Sequence, residues 1–329
     1  MRRTLLLTIS LACLSVSGLL HASTQDPKVI GADPGCEPAR QRQVALNVTD
    51  KEGAFIRTLR PEDLILTVDK TPAEILKLET RLDQPLAVVI LIDTSMSQEG
   101  TLDETRLAAQ KFVEWVLKSK KDRAAVVSFS GEAIVEADLT NDSGALLAAI
   151  SRVKLDRPPD YVLGGATSGR TPPMQPRRQG TTAMWDAVWA STDEILQPIN
   201  DARRVILLLT EGADSSSSSR WQETIQHAAV NDVAVFSIGI SDRRFFDIVG
   251  ERNLEDLSEA TGGRVFFLKK VQDLPGIFLK IEQEARSTYV VSYCAVQAPA
   301  DTQVKIHIEP RSPQLREAHA RLLYRRYAL

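Results

Sequence analysis

The stretch Leu86-Ala-Val-Val-Ile-Leu-Ile92 decides the fold of this 329-residue chain. An uninterrupted apolar run of this length, rich in Val and Ile, is typical of a strand buried on both faces of a parallel sheet. Val205-Ile-Leu-Leu-Leu209 has the same character. Strand patterns alternate with helical patterns across residues 85–286, which predicts an α/β domain with a doubly wound, mostly parallel sheet. The predicted strands are 86–92, 123–129, 205–209, 233–240 and 264–268, and the predicted helices are 105–117, 143–153, 182–196, 220–231, 253–261 and 271–286.

Segments on either side of this domain have a different period. Val44, Leu46 and Val48 alternate with less apolar residues, and this pattern indicates a half-buried strand. Further strands are expected at 64–68 and 73–78. Comparable strands are expected at 289–293, 304–308 and 319–323. We expect the two flanking segments to pack together, so that the α/β domain is inserted between them. The predicted organisation is a signal peptide (1–23), a leader (24–42), an N-terminal β segment (43–84), the α/β domain (85–286) and a C-terminal β segment (287–329).

The N-terminus has the pattern of an export signal. Arg2 and Arg3 precede an apolar stretch over 5–20, and the small residues Ala22 and Ser23 follow it. The protein is therefore expected to be exported, to the periplasm or the exterior. The alternative is an uncleaved membrane anchor; no later segment has the ~18 apolar residues that a second span requires.

Cysteine usage agrees with export. Removal of the signal would take Cys13 away and leave Cys36 and Cys294, an even pair in an oxidising compartment. They form a candidate disulfide joining the two ends of the mature chain, with two free buried thiols as the alternative.

Charge and composition argue against a nucleic-acid partner. The chain has 43 acidic and 40 basic residues, a net charge of −3, and only 5% aromatic residues. A mildly acidic surface gains nothing from a polyanion, and few aromatic rings are available to stack on bases.

Polar residues directly follow the first apolar strand. Asp93, Ser95 and Ser97 lie at i, i+2 and i+4, so an extended chain would point their oxygen atoms the same way. One carboxylate and two hydroxyls suit a hard cation, Mg²⁺ before Ca²⁺ or Mn²⁺. Ser and Asp also favour turns and helix N-caps, which is the alternative interpretation. The position favours the site, because ligands of open α/β sheets bind at the carboxyl ends of the strands.

These residues resemble the metal-ion-dependent adhesion site of the von Willebrand factor type A (VWA) domain, and the resemblance covers roughly 85–285. Asp93, Ser95 and Ser97 match its D-x-S-x-S loop. The segment 180–187 (GTTAMWDA) matches its G-x-T-x-x-x-D-A pattern and makes Thr182 the metal-site threonine. The chain is also similar to a bacterial group of secreted VWFA-related proteins, through VTDKEG at 48–53, PEDL at 61–64 and EATGGRVF at 259–266.

The chain departs from the family pattern at one ligand. Glu211, in Thr210-Glu211-Gly212, stands where the family usually has Asp. Its additional methylene extends the reach of the carboxylate, and Mg²⁺ tolerates distorted geometry less well than Ca²⁺. Asp214 is a candidate substitute ligand.

The resemblance implies adhesion: a partner protein would present an Asp or Glu to a divalent cation. Segment 155–180 combines many turn residues with Arg170, Arg177 and Arg178, which are candidate partner contacts. A metal-free structural or assembly scaffold using the same face is the alternative. A metal-dependent hydrolase is less favoured, because no histidine or lysine base follows a predicted strand. We therefore expect a binding protein and no enzymatic activity.

Overall fold

The computed structural model describes residues 3–5, 36–157, 161–162, 166–167, 181–240, 248–296, 298–299 and 301–329. Within these ranges the strands β1 to β17 are, in chain order, Arg3–Leu5, Gln41–Thr49, Leu64–Val68, Thr71–Pro72, Ile75–Arg81, Leu86–Asp93, Arg123–Phe129, Ala133–Thr140, Tyr161–Val162, Ala166–Thr167, Arg203–Thr210, Val233–Gly239, Val265–Phe267, Thr288–Cys294, Val304–Pro310, Arg321–Tyr324 and Tyr327–Ala328. The α-helices α1 to α7 are Leu102–Val116, Ser143–Arg152, Met184–Ala190, Trp221–Val230, Ile248–Ala260, Leu274–Arg286 and Pro313–Glu317, and a π-helical turn, Ser191–Leu196, continues α3.

A central sheet with the strand order β1-β8-β7-β6-β11-β12-β13 forms the middle layer. β7, β6, β11, β12 and β13 run parallel; β8 runs antiparallel to β7, and β1 runs antiparallel to β8. Alternate residues of β6 serve two cores. Leu86, Val88, Ile90 and Ile92 pack with α1, α2 and α6 on one face. The odd-numbered residues between them pack with α3, α4 and α5 on the other. Helices on both faces explain why this strand is apolar throughout, and the predicted fold class is confirmed.

Two strands of the central sheet were not predicted: β1, which lies in the stretch predicted to be a signal peptide, and β8. β8 follows β7 after a three-residue turn in which the Ser130 amide donates to the Glu132 carbonyl at 3.0 Å. Its residues are mostly half-buried, and the register with β7 shifts twice. These irregularities remove the clear alternation by which a strand is recognised in sequence. The alternation of strands and helices is therefore interrupted at this point.

The flanking segments build two antiparallel four-stranded sheets, with the orders β16-β2-β14-β5 and β17-β15-β3-β4. β2 pairs with β14 and β3 pairs with β15, so each sheet combines N-terminal and C-terminal strands. A separate core between the sheets includes Leu46, Leu66, Val291 and Ile306. Cys36 and Cys294 are joined by a disulfide, with their Cα atoms 6.0 Å apart. We refer to these two sheets as the β unit.

Within residues 1–35, the structure describes Arg3–Leu5, which pairs with β8. The other residues of this stretch lie outside the described ranges. The signal peptide therefore stays a prediction. In the described ranges, no helix combines the length and apolar character needed to cross a bilayer.

An ion pair closes the α/β domain where the chain enters and leaves it. Arg286, the last residue of α6, donates to Asp122 Oδ1 at 3.0 Å and Oδ2 at 2.8 Å. Asp122 also accepts from the Leu86 amide at 3.0 Å and the Ser119 amide at 2.9 Å. Arg286 further donates to the Gln84 carbonyl at 3.1 Å. Burial raises the pKa of Asp122, but the hydrogen bonds from Arg286 and the two amides outweigh it, and the pKa lies below its ordinary value of 3.8.

Substituting Asp122→Asn is expected to cost about 2 kcal/mol of stability at neutral pH, because a buried charge-assisted pair is lost. A carboxyl with a lowered folded-state pKa stabilises the fold above its unfolded pKa and loses this effect as the pH falls through the folded value. The difference between wild type and variant should therefore be complete at pH 7 and shrink below pH 3.8. Urea unfolding across this range measures it, with exposed Asp138→Asn as the control. A difference independent of pH would contradict the assignment.

Candidate metal centre

Asp93 lies at the carboxyl end of β6 and is completely buried. Its Oδ1 accepts hydrogen bonds from the Ser95 amide at 2.9 Å and the Ser95 hydroxyl at 2.6 Å. The hydroxyls of Ser95 and Ser97 lie 3.0 Å apart. A turn of 3₁₀ helix, Met96–Gly100, follows and folds the loop back on itself. The oxygen atoms of Asp93, Ser95 and Ser97 are therefore contiguous.

Thr210 holds the other oxygen of Asp93, a role that the sequence analysis did not assign. Leu209 pairs with Ile92 in the parallel register of β11 and β6, which places Thr210 beside Asp93. The Thr210 hydroxyl donates to Asp93 Oδ2 at 2.5 Å and accepts from the Gly212 amide at 3.1 Å. Part of the signal was present in the sequence, since each residue directly follows a long apolar run that was predicted to be a strand.

Burial dominates the electrostatics of both carboxylates. Burial raises the pKa of Asp93 to about 6, against hydrogen bonds from Ser95 and Thr210 that lower it, and the negative charge of Glu211 raises it further. Burial also raises the pKa of Glu211, which a hydrogen bond with Ser97 partly offsets. Asp93 contacts Ser95, and Glu211 contacts Ser97. These two desolvated carboxylates create a negative site, and a bound cation would offset the free energy that burial of their charges costs.

The loop that carries Glu211 is fixed against α5. Gly212 has φ +88°, a conformation that L side chains rarely adopt, and an added Cβ would lie 2.4 Å from the Gly250 carbonyl oxygen. A Cβ on Gly250 would in turn lie 2.7 Å from the Glu211 carbonyl oxygen. Asn253 donates to the Gly212 carbonyl at 3.1 Å. Helix α5 thus sets the backbone position of Glu211 through contacts that only glycine allows.

Thr182 lies two residues before the start of α3 and is buried. Its amide donates to the Ser215 hydroxyl at 3.0 Å, and its carbonyl accepts from the Ser215 amide at 2.8 Å. The next amide, of Ala183, donates to the Ser130 carbonyl at 2.6 Å, at the carboxyl end of β7. These bonds bring Thr182 to the same edge of the sheet as Asp93, because β7 is the neighbour of β6.

Asp214 caps α3. Its Oδ1 accepts from the Met184 amide at 2.8 Å and the Ser217 hydroxyl at 2.6 Å. Both oxygens of Asp186 accept from amides of the serine run, those of Ser218 and Ser219, at 2.8 Å each. The serine-rich run thus fastens the β11–α4 loop to the helix that follows Thr182. The role of Asp214 as a substitute ligand stays a prediction, since this carboxylate already serves as a helix cap.

The predicted partner contacts Arg170, Arg177 and Arg178 lie outside the described residues. The beginning of the same segment is described. The Asp156 amide donates to the Thr94 carbonyl at 3.0 Å, and Asp156 Oδ2 accepts from the Ser130 hydroxyl at 2.7 Å. Segment 155–180 therefore starts beside the Asp93 loop.

The residues present fit a divalent cation. The candidate donors are the carboxylates of Asp93 and Glu211 and the hydroxyls of Ser95, Ser97 and Thr182, an all-oxygen set that suits Mg²⁺, Mn²⁺ or Ca²⁺. The described part of the chain has no group of three or more His, Cys, Asp or Glu residues that could hold a metal. A cation at this site would therefore depend on hydroxyl ligands as well as on the two carboxylates.

Comparisons with known proteins identify the class. The family model for the von Willebrand factor type A domain matches residues 88–214, a segment that includes all five candidate ligands. Residues 88–214 therefore form a VWA domain. No curated protein matches it significantly.

Solved structures are similar at low identity. The conserved hypothetical protein BatB from Bacteroides thetaiotaomicron has 15% identity and a TM-score of 0.45, with 61% of this chain and 98% of that chain covered. An aerotolerance-related membrane protein from Bacteroides fragilis gives the same values. Proximal thread matrix protein 1 from the mussel byssus, solved with a zinc-occupied MIDAS motif, has 14% identity and a TM-score of 0.46, with 70% and 50% covered. Likeness at this level carries no information about function.

Proposed function

We propose that this protein is an exported binding protein without enzymatic activity. It holds a protein partner through a divalent-metal-dependent adhesion site centred on Asp93. The observation that carries the proposal is the contiguous set of Asp93, Ser95 and Ser97 oxygens at the carboxyl end of a fully buried strand. When bound, a divalent cation supplies positive charge and a coordination position for a carboxylate of the partner.

The chain's own residues prepare this site in two ways. Thr210 and Ser95 orient the Asp93 carboxylate by hydrogen bonds to both of its oxygens. The Thr182 hydroxyl forms no hydrogen bond with the described residues, whereas its backbone is fastened to Ser215. A hydroxyl that is held in place and left unengaged suits a ligand position.

The disulfide supports the location that we propose. Cys36–Cys294 joins the chain just before β2 to strand β14, and stable disulfides of this kind belong to oxidising compartments such as the periplasm or the exterior. The pattern of residues 1–23 supports the same location.

Glu211 determines which cation is preferred. We expect Glu211→Asp to shift the ratio of Mg²⁺ to Ca²⁺ affinity toward Mg²⁺ by about tenfold, because a shorter carboxylate leaves room for the water-rich octahedral shell that Mg²⁺ keeps. Calorimetric titration of both ions into wild type and variant measures this ratio. An unchanged ratio would mean that Glu211 does not contact the cation.

Partner binding tests the proposal itself. Immobilised wild type should retain a partner from the envelope proteins of its source in Mg²⁺ and release it in EDTA, and Asp93→Ala should retain none. Asp138→Ala, an exposed carboxylate on β8, is the matched control. Replacing acidic residues of the recovered partner should then abolish binding. A partner retained equally by Asp93→Ala and in EDTA would favour the metal-free scaffold and contradict adhesion through a cation.

A further inference from the structure

A cleft of about 280 Å³ lies between the α/β domain and the β unit, at the end of the sheet opposite to the metal centre. The start of β11 contributes Arg203 and Arg204 to its wall, and the turn before β12 contributes Asp232. The β unit contributes Arg81, at the end of β5, and Arg325, between β16 and β17. Four arginines from two parts of the fold therefore face one space, which we call the arginine cleft.

The arginine cleft has a positive charge that its own residues do not neutralise. Asp232 is the one carboxylate among the described residues that line it. Burial raises the pKa of Asp232, but Arg203 and Arg325 outweigh it and hold the pKa below its ordinary value, so this carboxylate is ionised at neutral pH. Four guanidinium groups against one carboxylate leave an excess of three positive charges.

The guanidinium groups are held in place by the protein backbone. Arg204 donates to the Ile199 carbonyl at 2.7 Å and to the Asn231 carbonyl at 2.6 Å. Arg325 donates to the Ala229 carbonyl at 3.1 Å and, from the other nitrogen, to the Gln43 carbonyl at 2.8 Å. Neutral carbonyls orient these cations without cancelling their charge, which is how a binding site is prepared in advance.

Two buried donors in the cleft have no hydrogen bond within the described part of the chain. Arg203 has a side chain only 9% exposed; its Nη1 donates to Asp232 Oδ1 at 3.0 Å, while its Nε is unpaired. Arg325 Nε lies 3.7 Å from Asp232 Oδ1, beyond hydrogen-bond distance, and is unpaired as well. Buried N–H groups of charged side chains without an acceptor are rare and costly, so these two guanidinium groups retain unused donor capacity beside the cleft.

We propose that the arginine cleft binds a small oxyanion of the phosphate class, either inorganic phosphate or a phosphate monoester. Such an anion offers several acceptor oxygens and up to two negative charges, and arginine forks match its geometry. The cleft has room for such an anion, because its volume of about 280 Å³ is several times the ~30 Å³ that a water molecule occupies in the liquid. Exposed Arg81 completes the cation set from the β unit, so the bound anion would connect the two parts of the fold. This site is independent of the proposed adhesion function.

Thermal unfolding and calorimetry of residues 24–329 in EDTA test the proposal without any contribution from the metal centre. Inorganic phosphate, with sodium chloride at equal ionic strength as the reference, is expected to raise the Tm and to bind one ion per chain. Glycerol 3-phosphate is the second probe, and tighter binding than that of inorganic phosphate would identify a monoester as the ligand. Arg81→Ala and Arg203→Lys are each expected to weaken phosphate binding by about tenfold or more, because a charge-assisted hydrogen bond is lost.

Arg57→Ala is the matched control, because Arg57 is an exposed arginine of the β unit outside the arginine cleft. Arg203→Lys keeps the charge and removes the unpaired Nε, so it separates specific recognition from a general charge effect. Circular dichroism of each variant shows that it is folded. Loss of phosphate binding in both cleft variants but not in Arg57→Ala supports the site. Absence of phosphate binding by wild type, or equal binding by all three variants, would overturn it.

Discussion

Asp93→Asn is expected to abolish divalent-cation binding and, at the same time, to make the cation-free protein more stable. The carboxylate is fully buried, and burial raises its pKa to about 6, so the protein maintains an unfavourable charge at this position. Asn has the same shape, can accept from the Ser95 amide and can donate to the Thr210 hydroxyl, so the loop should keep its conformation. We expect affinity to fall by at least about 100-fold and cation-free stability to rise by about 1 kcal/mol.

Thermal unfolding in EDTA and in saturating Mg²⁺ measures both effects. Wild type should show a Tm that rises with Mg²⁺, and Asp93→Asn should show a higher Tm in EDTA with no response to Mg²⁺. Asp138→Asn should behave as wild type, because Asp138 is an exposed residue of β8. A variant that is destabilised in EDTA would show that Asp93 holds the loop together for structural reasons. A variant that still responds to Mg²⁺ would place the cation elsewhere.

Gly212→Ala is expected to destabilise the protein by about 3 kcal/mol and to impair cation binding together with it. The backbone has φ +88°, and the new Cβ would lie 2.4 Å from the Gly250 carbonyl oxygen and 2.8 Å from Leu254 Cγ. Because both neighbours belong to α5, relief of the overlap requires the Glu211 loop to move away from that helix. The loss of stability should therefore be accompanied by displacement of a candidate ligand.

Urea unfolding gives the stability difference, and calorimetry with Mg²⁺ gives the affinity of the fraction that is folded. Gly100→Ala is the matched control, since Gly100 ends the 3₁₀ turn of the Asp93 loop and an added Cβ would meet no atom within 4 Å. The control should retain wild-type affinity. If Gly212→Ala were as stable as Gly100→Ala, this result would contradict the close packing of the Glu211 loop against α5.

The fold could be predicted from sequence wherever burial on two faces left a continuous apolar run. Leu86–Asp93 and Arg203–Thr210 are such strands, and the helices around them show clear amphipathic spacing. β8 was missed, because it is half-buried and its register with β7 is irregular. The pairing of the flanking segments could be expected from their alternation, whereas the strand order in each sheet depends on contacts over more than 200 residues.

The candidate site was predictable as a set of ligand types but not as a network. Asp93, Ser95 and Ser97 follow from spacing after a strand. The bond from Thr210 to Asp93 depends on the register between two strands distant in sequence. The engagement of Asp214 with Met184 depends on where α3 begins, two residues later than predicted. The arginine cleft could not be foreseen, because Arg81, Arg203 and Arg325 are brought together only when the β unit packs against the α/β domain.

Calorimetric titration of residues 24–329 with Mg²⁺, Mn²⁺ and Ca²⁺, beside the Asp93→Ala variant, tests whether the chain binds a cation at the end of β6. We expect one bound cation per chain in wild type and no binding in the variant. No heat and no thermal stabilisation of wild type with any of the three ions, or equal binding by Asp93→Ala, would contradict a metal centre at the end of β6.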